Sequence, residues 1–409
     1  MAADLTTYDK ALKEDYSPTV VNQLYTKTVT LKRIRKGNEE LEGREFVIPL
    51  ATKMSEGVGS RGSTSSTLPT PGSAGYDNAI LGPKYHWGEI QVSKVVIEHT
   101  KGTKGAWVKA LDSETASLAK TMVRDANRQL WNDGTGLISR CGITTAANVV
   151  VLGTLVAGIG PDGFRALGNA QLRVGMNVDI LTRSNGAVIA TNRLITAINV
   201  SANTITINGA AVTTAATDGV YRAGNKSGAT NYEAQGFRSI VSDTGALEGL
   251  DPATPGQEFW ASTDLSNGGT NRTISELLMQ SMVDAIDLAG DGETSLIVSS
   301  HGVRRSYFNL LVSLKRFVKP MTLEGGFDAL DFNGKAFVVD KDARANSIYF
   351  IDESHLKIYE LTKPSWMDDE GSVLKWDQGT GYVAVYNWFM NFGTDERNAH
   401  GLLGDITES

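Results

Sequence analysis

Apolar residues recur along this chain with two periods, and the changes of period divide it. From 106 to 132, Leu111, Leu118, Met122, Ala126 and Leu130 share one side of a helical wheel, with Trp107 at its start. Lys109, Glu114, Lys120, Arg124 and Arg128 fill the rest, and "NDGTG" at 132–136 stops the run. The spacing predicts a rod about 40 Å long, apolar on one side and lying across a sheet. A period of two marks the segments before it. The pattern predicts strands over 44–54, "REFVIPLATKM", and over 84–98, where Ile90, Val92 and Val96 oppose Glu89, Gln91 and Ser93. The segment joining them far exceeds the 2–5 residues of an ordinary hairpin loop. A lone two-stranded hairpin is marginal in water, so this one is expected to pack on something else.

Upstream, Ser17-Pro18 is a helix start, and "TVVNQLYTKTV" leads from it into Lys32, Arg33, Arg35 and Lys36, expected to form a solvated face. From about 149 to 227 the chain turns rich in Val, Ile and Thr, with turns at "RSNGA", "VSANT" and "ATDG". Short β-runs so spaced predict a small barrel or sandwich inserted into a mixed chain. Beyond it, Thr273-Ile274-Ser275-Glu276 reads as a capping box opening the helix "ISELLMQSMVDAIDLAG". A buried strand, "SLIVSS", a second helix, "VRRSYFNLLVSLKRF", and three further strands complete an α/β alternation.

Composition narrows the class. The chain has 409 residues, 43 of them glycine, and its net charge of −7 argues against a general nucleic-acid binder. The single cysteine, Cys141, excludes an internal disulfide framework. "MAADLTTYDKALKED" has no apolar core, and "VVVLGTLVAGIG" is too short to cross a bilayer. A soluble, intracellularly made protein with no membrane partner is expected.

Candidate chemistry is sparse. Gly57, Gly59 and Gly62 match the G-x-G-x-x-G spacing of a dinucleotide loop, but "STSSTLPTPGSAG" follows where a helix N-terminus is required. Ser300-His301 lacks a nucleophile elbow and reads as a helix cap, by Ser299 or Ser300. Asp340 and Asp342, with Asp331 and Asp352 nearby, supply too few oxygen ligands for a hard cation and look like a strand end and turn. The five histidines have no metal-ligand spacing, "GDGE" ends a helix, and "MDDEGS" is a solvated acidic turn. No catalytic residue, metal or cofactor is assigned, and the absence points to a structural protein rather than an enzyme.

The order of pieces is more telling than any one of them. The hairpin at 44–98, the helix ending "RQLWNDGTG", "GFRSIVSDTGALEGLDPATPGQEFW", "ISELLMQSMVDAID", "SLIVSSHGVRRSYFNLL", "GGFDALDFNGKAFVVDKDARANSIYFID" and "NFGTDERNAHGLL" together resemble the major capsid protein of tailed double-stranded DNA bacteriophages. That family has the mixed α+β Hong Kong-type fold. The resemblance implies an N-terminal arm at 1–43, an extended loop at 44–98 and a peripheral domain at 99–148 carrying the spine helix. It further implies an inserted β-barrel at 149–227, peripheral residues again at 228–270, an axial domain at 271–361 and peripheral strands at 362–409. Pentamers and hexamers of this one chain would tile an icosahedral virion shell around packaged DNA, which they meet by non-specific proximity. Assembly in the host bacterial cytoplasm, with possible separate scaffolding, portal and decoration proteins, is implied too. The arm starts too near Met1 for a cleaved scaffolding segment. Lys53, Gly57, Gly59, Arg61, Gly62, Lys84 and Trp87 become candidate inter-subunit contacts, the glycine-rich tip over 57–82 adapting to several neighbours. Two alternatives stay open: an encapsulin-type bacterial shell protein, and a mixed α/β hydrolytic enzyme using Ser300 or the Asp340/Asp342 pair.

Overall fold

The computed structural model describes residues 28–37, 43–63, 67–100, 110–153, 171–290, 292–313, 321–322, 328–367, 375–376 and 381–409. Helix α1 (Val29–Arg33) and strand β1 (Arg35–Lys36) come first, then β2 (Phe46–Lys53), β3 (Gly75–Leu81) and β4 (Lys84–Ser93). Helices α2 (Lys94–Thr100) and α3 (Ala110–Leu130) lead to β5 (Leu137–Arg140), β6 (Thr144–Ala147) and β7 (Val149–Val151). Next are β8 (Asn177–Thr182), β9 (Val188–Asn199), β10 (Thr204–Ile207), β11 (Val212–Thr214) and β12 (Asp218–Arg222). The short pair β13 (Lys226–Ser227) and β14 (Thr230–Asn231) precedes α4 (Phe237–Ile240) and β15 (Thr263–Asp264). Then come α5 (Glu276–Ala289), β16 (Leu296–Ser299), α6 (His301–Ser313), β17 (Met321–Thr322), β18 (Asp328–Phe332) and β19 (Lys335–Val339). Finally β20 (Ile348–Ile351), β21 (Leu356–Trp366), β22 (Lys375–Trp376), β23 (Gly381–Thr394) and β24 (Gly401–Leu403) follow. The start of the N-terminal arm, Trp107 and the acidic turn "MDDEGS" beyond Met367 lie outside the described residues.

These elements divide into two units. The smaller holds the described residues of 87–122 and 365–387, where β22 pairs antiparallel with β23 and Trp366 packs 4.9 Å from Tyr386. The larger holds those of 28–86, 123–364 and 388–409.

A seven-stranded sheet dominates the larger unit, in the order β15-β24-β20-β16-β19-β18-β17. Central β16 runs parallel to β19 and antiparallel to β20, so Ile297, Phe337 and Phe350 share a face. Onto that face α5 sets Met279, Met282 and Ile286, and α6 sets Val303, Tyr307 and Leu311. Across the sheet, Tyr349 meets Trp131 at 5.2 Å and Phe237 at 6.0 Å. Coverage on both faces explains why "SLIVSS" and "SIYFID" are unbroken apolar runs instead of alternating ones.

The helix starts show local chemistry at work. Ser275, not Thr273, caps α5: its Oγ accepts the Leu278 N–H at 3.1 Å, so the box read from sequence is displaced by two residues. Ser300 caps α6, its Oγ accepting the Val303 N–H at 3.3 Å.

A second sheet runs β5-β12-β8-β9-β10-β7 with antiparallel neighbours throughout. Gly142 N–H donates to the Val151 carbonyl and Gly153 N–H to the Arg140 carbonyl, both at 2.8 Å. These bonds join the two outermost strands, so the sheet closes on itself around Ile138, Val150, Val178, Ile180, Ile195, Ile205 and Val220. Strands β5 and β6 of this region begin well before residue 149.

Helix α3 departs from the one-sided rod. Met122, Ala126 and Leu130 are buried as expected, yet Arg124, Asn127, Arg128 and Gln129 are buried as well. The Arg128 guanidinium donates to both Glu233 carboxylate oxygens, at 2.6 and 3.0 Å, and through Nε to Asp125 at 3.0 Å. Arg222 reaches the same Asp125 oxygen at 2.9 Å. Burial works against the Asp125 charge, but Arg128 and Arg222 hold the carboxyl well below the usual carboxylate range. A pattern based on polarity alone puts these charges in solvent; a fork-shaped cation between two carboxylates allows them inside.

The basic cluster is likewise only partly solvated. Lys32 is exposed, but Arg33 clamps Glu353 with two bonds of 2.7 and 2.8 Å. Thr30 donates to Asp340 at 2.9 Å, and β1 pairs parallel with β21 through Arg35↔Lys357.

Candidate assembly surfaces

The hairpin is built differently from the sequence expectation. Its return strand is β3, inside the stretch read as loop; "KYHWGEIQVS" forms the separate strand β4, and Val96 lies on helix α2. β2 and β3 pair from Phe46↔Leu81 outward to Lys53↔Gly75, and 54–74 connects them. Alternation gives this ladder two unlike faces. Phe46, Leu81 and part-buried Ile48 pack on Tyr359, with the Phe46 and Tyr359 rings 5.3 Å apart. On the other face Val47 pairs with Ile80 and Ala51 with Tyr76, all exposed. At the tip, Met54 and Leu68 are 84% and 88% exposed, values at which an apolar side chain gains nothing from its own subunit.

The base of the hairpin is anchored. Ile80 N–H donates to the Glu248 carbonyl at 2.6 Å, and Gln257 Nε2 to Asp77 at 3.2 Å. Glu248 sits at φ +55, and its buried carboxylate oxygen accepts the Thr394 N–H at 3.1 Å. Burial pushes this carboxyl up to about 8, against the Thr394 N–H and the Arg397 charge, which pull it down. Arg397 holds the supporting loop by donating to the carbonyls of Ser239, Ile240, Thr244, Gly245 and Trp260, at 2.8–3.2 Å. It is 1% exposed, and its charge is spread over five backbone acceptors.

The glycines at the tip have a geometric role. A Cβ on Gly72 would lie 2.6 Å from the Glu56 nitrogen, and one on Gly57 would lie 3.0 Å from the Gly72 nitrogen. The two limbs therefore cross backbone to backbone, tied by Ser55 Oγ donating to the Gly72 carbonyl at 3.0 Å. Gly62 meets nothing within 4 Å, and no helix starts among the described residues from 62 to 74. The described residues after Gly62 thus supply no helix N-terminus of the kind a dinucleotide loop uses.

The seven residues singled out from sequence do not converge. Lys53, Gly59, Arg61 and Gly62 are exposed along the hairpin end, and Gly57 is half-buried in the crossing. Lys84 instead turns inward, donating to the Asn231 carbonyl at 3.0 Å, and burial lowers its pKa. Trp87 belongs to the smaller unit and is exposed. Sequence reading missed the outward Val47, Ile80 and Tyr76, whose alternation with Ile48 and Ala79 was the available signal.

The enzymatic candidates are occupied by structural bonds. Ser300 Oγ donates to Glu408 and caps α6. Asp340 accepts from Thr30 and Asn127, and Asp342 from Asn127 at 2.9 Å. Asp331 is exposed, while Asp352 accepts from Glu293 N–H and Ser354. Among the described residues no cluster of three metal-ligating side chains occurs, and no helix is long and apolar enough to cross a membrane.

No family model and no curated protein matches the sequence. Solved structures do match over nearly the whole chain. The cyanophage A-1(L) capsid asymmetric unit aligns with 97% of this chain and 98% of that one, at 14% identity and TM-score 0.59. The capsid of the empty GTA particle covers 100% of both, at 10% identity and TM-score 0.56. The holo-SrpI encapsulin complex from Synechococcus elongatus aligns with 100% of this chain and 96% of that one, at 7% identity and TM-score 0.51. The chain therefore has the mixed α/β Hong Kong-type capsid fold anticipated from the order of its elements.

Proposed function

We propose that this protein is the structural subunit of a phage-type capsid, self-associating as pentamers and hexamers into an icosahedral shell around double-stranded DNA. One observation carries the reading: a hairpin anchored at its base presents a bare apolar face and tip in a chain with a shell-protein fold. An unpaired ladder with exposed apolar side chains is stable only against a partner surface, and another copy supplies one wherever copies tile. In this reading Lys53, Gly57, Gly59, Arg61 and Gly62 meet the neighbour and exposed Trp87 is a further contact, whereas Lys84 stays engaged with Asn231 of its own subunit. The closed sheet supports an inserted barrel as the body of 149–227, and the seven-stranded sheet supports 271–361 as the axial domain. Portal, scaffolding and decoration proteins would be its partners in the virion, assembled in the bacterial cytoplasm.

The hydrolytic alternative loses support, because Ser300, Asp340 and Asp342 are engaged in caps and buried clasps. An encapsulin-type shell shares the fold and differs in content. Full-length protein expressed in bacteria should give closed particles by electron microscopy and light scattering, holding nuclease-protected DNA when the packaging partners are supplied. Val47→Ser with Tyr76→Ser should leave folded subunits that do not close. A stable wild-type monomer, or normal particles from the double variant, would overturn the reading.

A further inference from the structure

Helices α5 and α6 carry outward faces that the fold of one subunit does not use. On α5, Leu277 and Leu288 are 81% and 87% exposed, eleven residues apart on one stripe with Asp284 between them. At 1.5 Å per residue the two leucines stand about 16 Å apart. On α6, Arg304, Phe308 and Val312 form the exposed stripe, the last two 46% and 53% exposed. The helices pack over different strands: α5 against β15 and β24, and α6 through Tyr307 against Phe332 and Phe337. Neither stripe covers the other, since the large side chains of both face solvent.

Charge separates the two faces. α5 contains Glu276, Asp284 and Asp287 and no cation; α6 contains Arg304 and Arg305 and no carboxylate. Glu276 opens α5, where the dipole suits an anion, but Asp287 on α5 and both arginines on α6 stand at the unfavourable end of their helix. Asp287 lies in the last turn of α5, where the dipole disfavours an anion, and Arg304 and Arg305 lie near the start of α6, where it disfavours cations. Local bonds on these helices include Gln280 Nε2 donating to Asp284 at 2.6 Å, Ser300 Oγ donating to Glu408, and Arg305 Nε donating to the Ser409 carbonyl at 2.6 Å. Helix dipoles thus do not account for Asp287, Arg304 or Arg305, whereas a partner surface of opposite sign does.

We propose that the acidic α5 face of one copy seats against the basic α6 face of a second copy. The contact is heterologous, joining unlike patches, and repeating it generates a ring where the rotation between copies closes. It deepens the shell reading and rests on it, adding a ring contact separate from the hairpin. Leucine and phenylalanine anchors are flanked by complementary charge, which sets orientation and suppresses like-face pairing.

Charge reversal tests it at small cost to the fold: the exposed bonds of Asp284 to Gln280 and of Arg305 to Ser409 are lost, while the new charges at 287, 304 and 305 suit each helix dipole better. Asp284→Arg with Asp287→Arg, and separately Arg304→Glu with Arg305→Glu, should each cut particle yield at least tenfold while circular dichroism and melting stay unchanged. All four substitutions in one chain should restore particles. Normal yield from either single-face variant, or no recovery in the folded combined variant, overturns the proposal. A wild type that forms no particles sinks the shell reading instead. Sedimentation velocity at low salt then decides the face pairing: association lost in each reversal and regained in the combined chain supports it, and none at all overturns it.

Discussion

The seven-stranded sheet and the β2–β3 hairpin both send successive side chains to opposite faces, but only the sheet has both faces covered within the subunit. In the sheet, Phe337 and Phe350 are covered by α5 and α6, while Tyr349 on the other face is covered by Trp131 and Phe237. In the hairpin, Phe46 and Leu81 find Tyr359, and their opposite-face neighbours Val47, Ile80 and Tyr76 find solvent. The contrast separates residues that stabilise the subunit from residues that, in the proposed shell, a second copy would bury.

The largest expected effect tests the finished side. Phe337→Ala should cost about 3–5 kcal/mol of subunit stability, since it empties a fully buried site between two helices and a sheet. Urea unfolding of dissociated subunits would read it, and a loss below about 1 kcal/mol would mean that the core is less closely packed than described.

A smaller effect probes the joint between the regions, at Glu248. The fold favours its neutral carboxyl, so its contribution is complete below the ordinary value of 4.5 and is lost as pH rises through about 8. Between pH 5 and 9, Glu248→Gln should gain about 1–3 kcal/mol relative to wild type. Parallel stability curves for the two proteins would refute this. His400 acts in the opposite window: burial holds its imidazole down to about 4, so its contribution is complete above 6.5 and fades as pH falls through 4.

The smallest effect on stability tests the unfinished side. Tyr76→Ala should change unfolding of the isolated subunit by no more than about 0.5 kcal/mol, yet reduce particle yield. Comparable losses in both measurements would erase the distinction drawn between the two ladders.

The periodic parts of the fold were legible in the sequence, and so was the order of elements that specifies the architecture. "SLIVSS", the α5 stripe and the Val/Ile/Thr-rich segment all became the elements their patterns predict. Strand β3 was hidden because "GYDNAIL" carries Asp77 and Asn78, residues poorly suited to strands, which are tolerated here on an exposed edge ladder. The buried side of α3 was hidden because Arg128 looks solvated until Glu233, 105 residues later, is brought against it. Glu248 and Arg397 could not be singled out, since no local pattern distinguishes a charged residue destined for backbone carbonyls or an apolar pocket. The glycine triplet was rightly set aside as a dinucleotide loop, but its use was not legible: Gly57 matters for a backbone crossing with Gly72, a partner that spacing alone does not reveal.

The clasp between residues 30–35 and 340–357 carries a consequence for how the chain is made. Thr30 waits for Asp340, 310 residues away, and Arg33 waits for Glu353, 320 residues away. At roughly 5–20 residues per second, a ribosome needs tens of seconds to deliver those partners. Val29 and Leu31, beside these bonds, are buried in the finished subunit. Contacts of such separation are late events in folding. The subunit is therefore sealed by a segment made 310–320 residues after the one it locks, and a chain terminated before Asp340 lacks that lock.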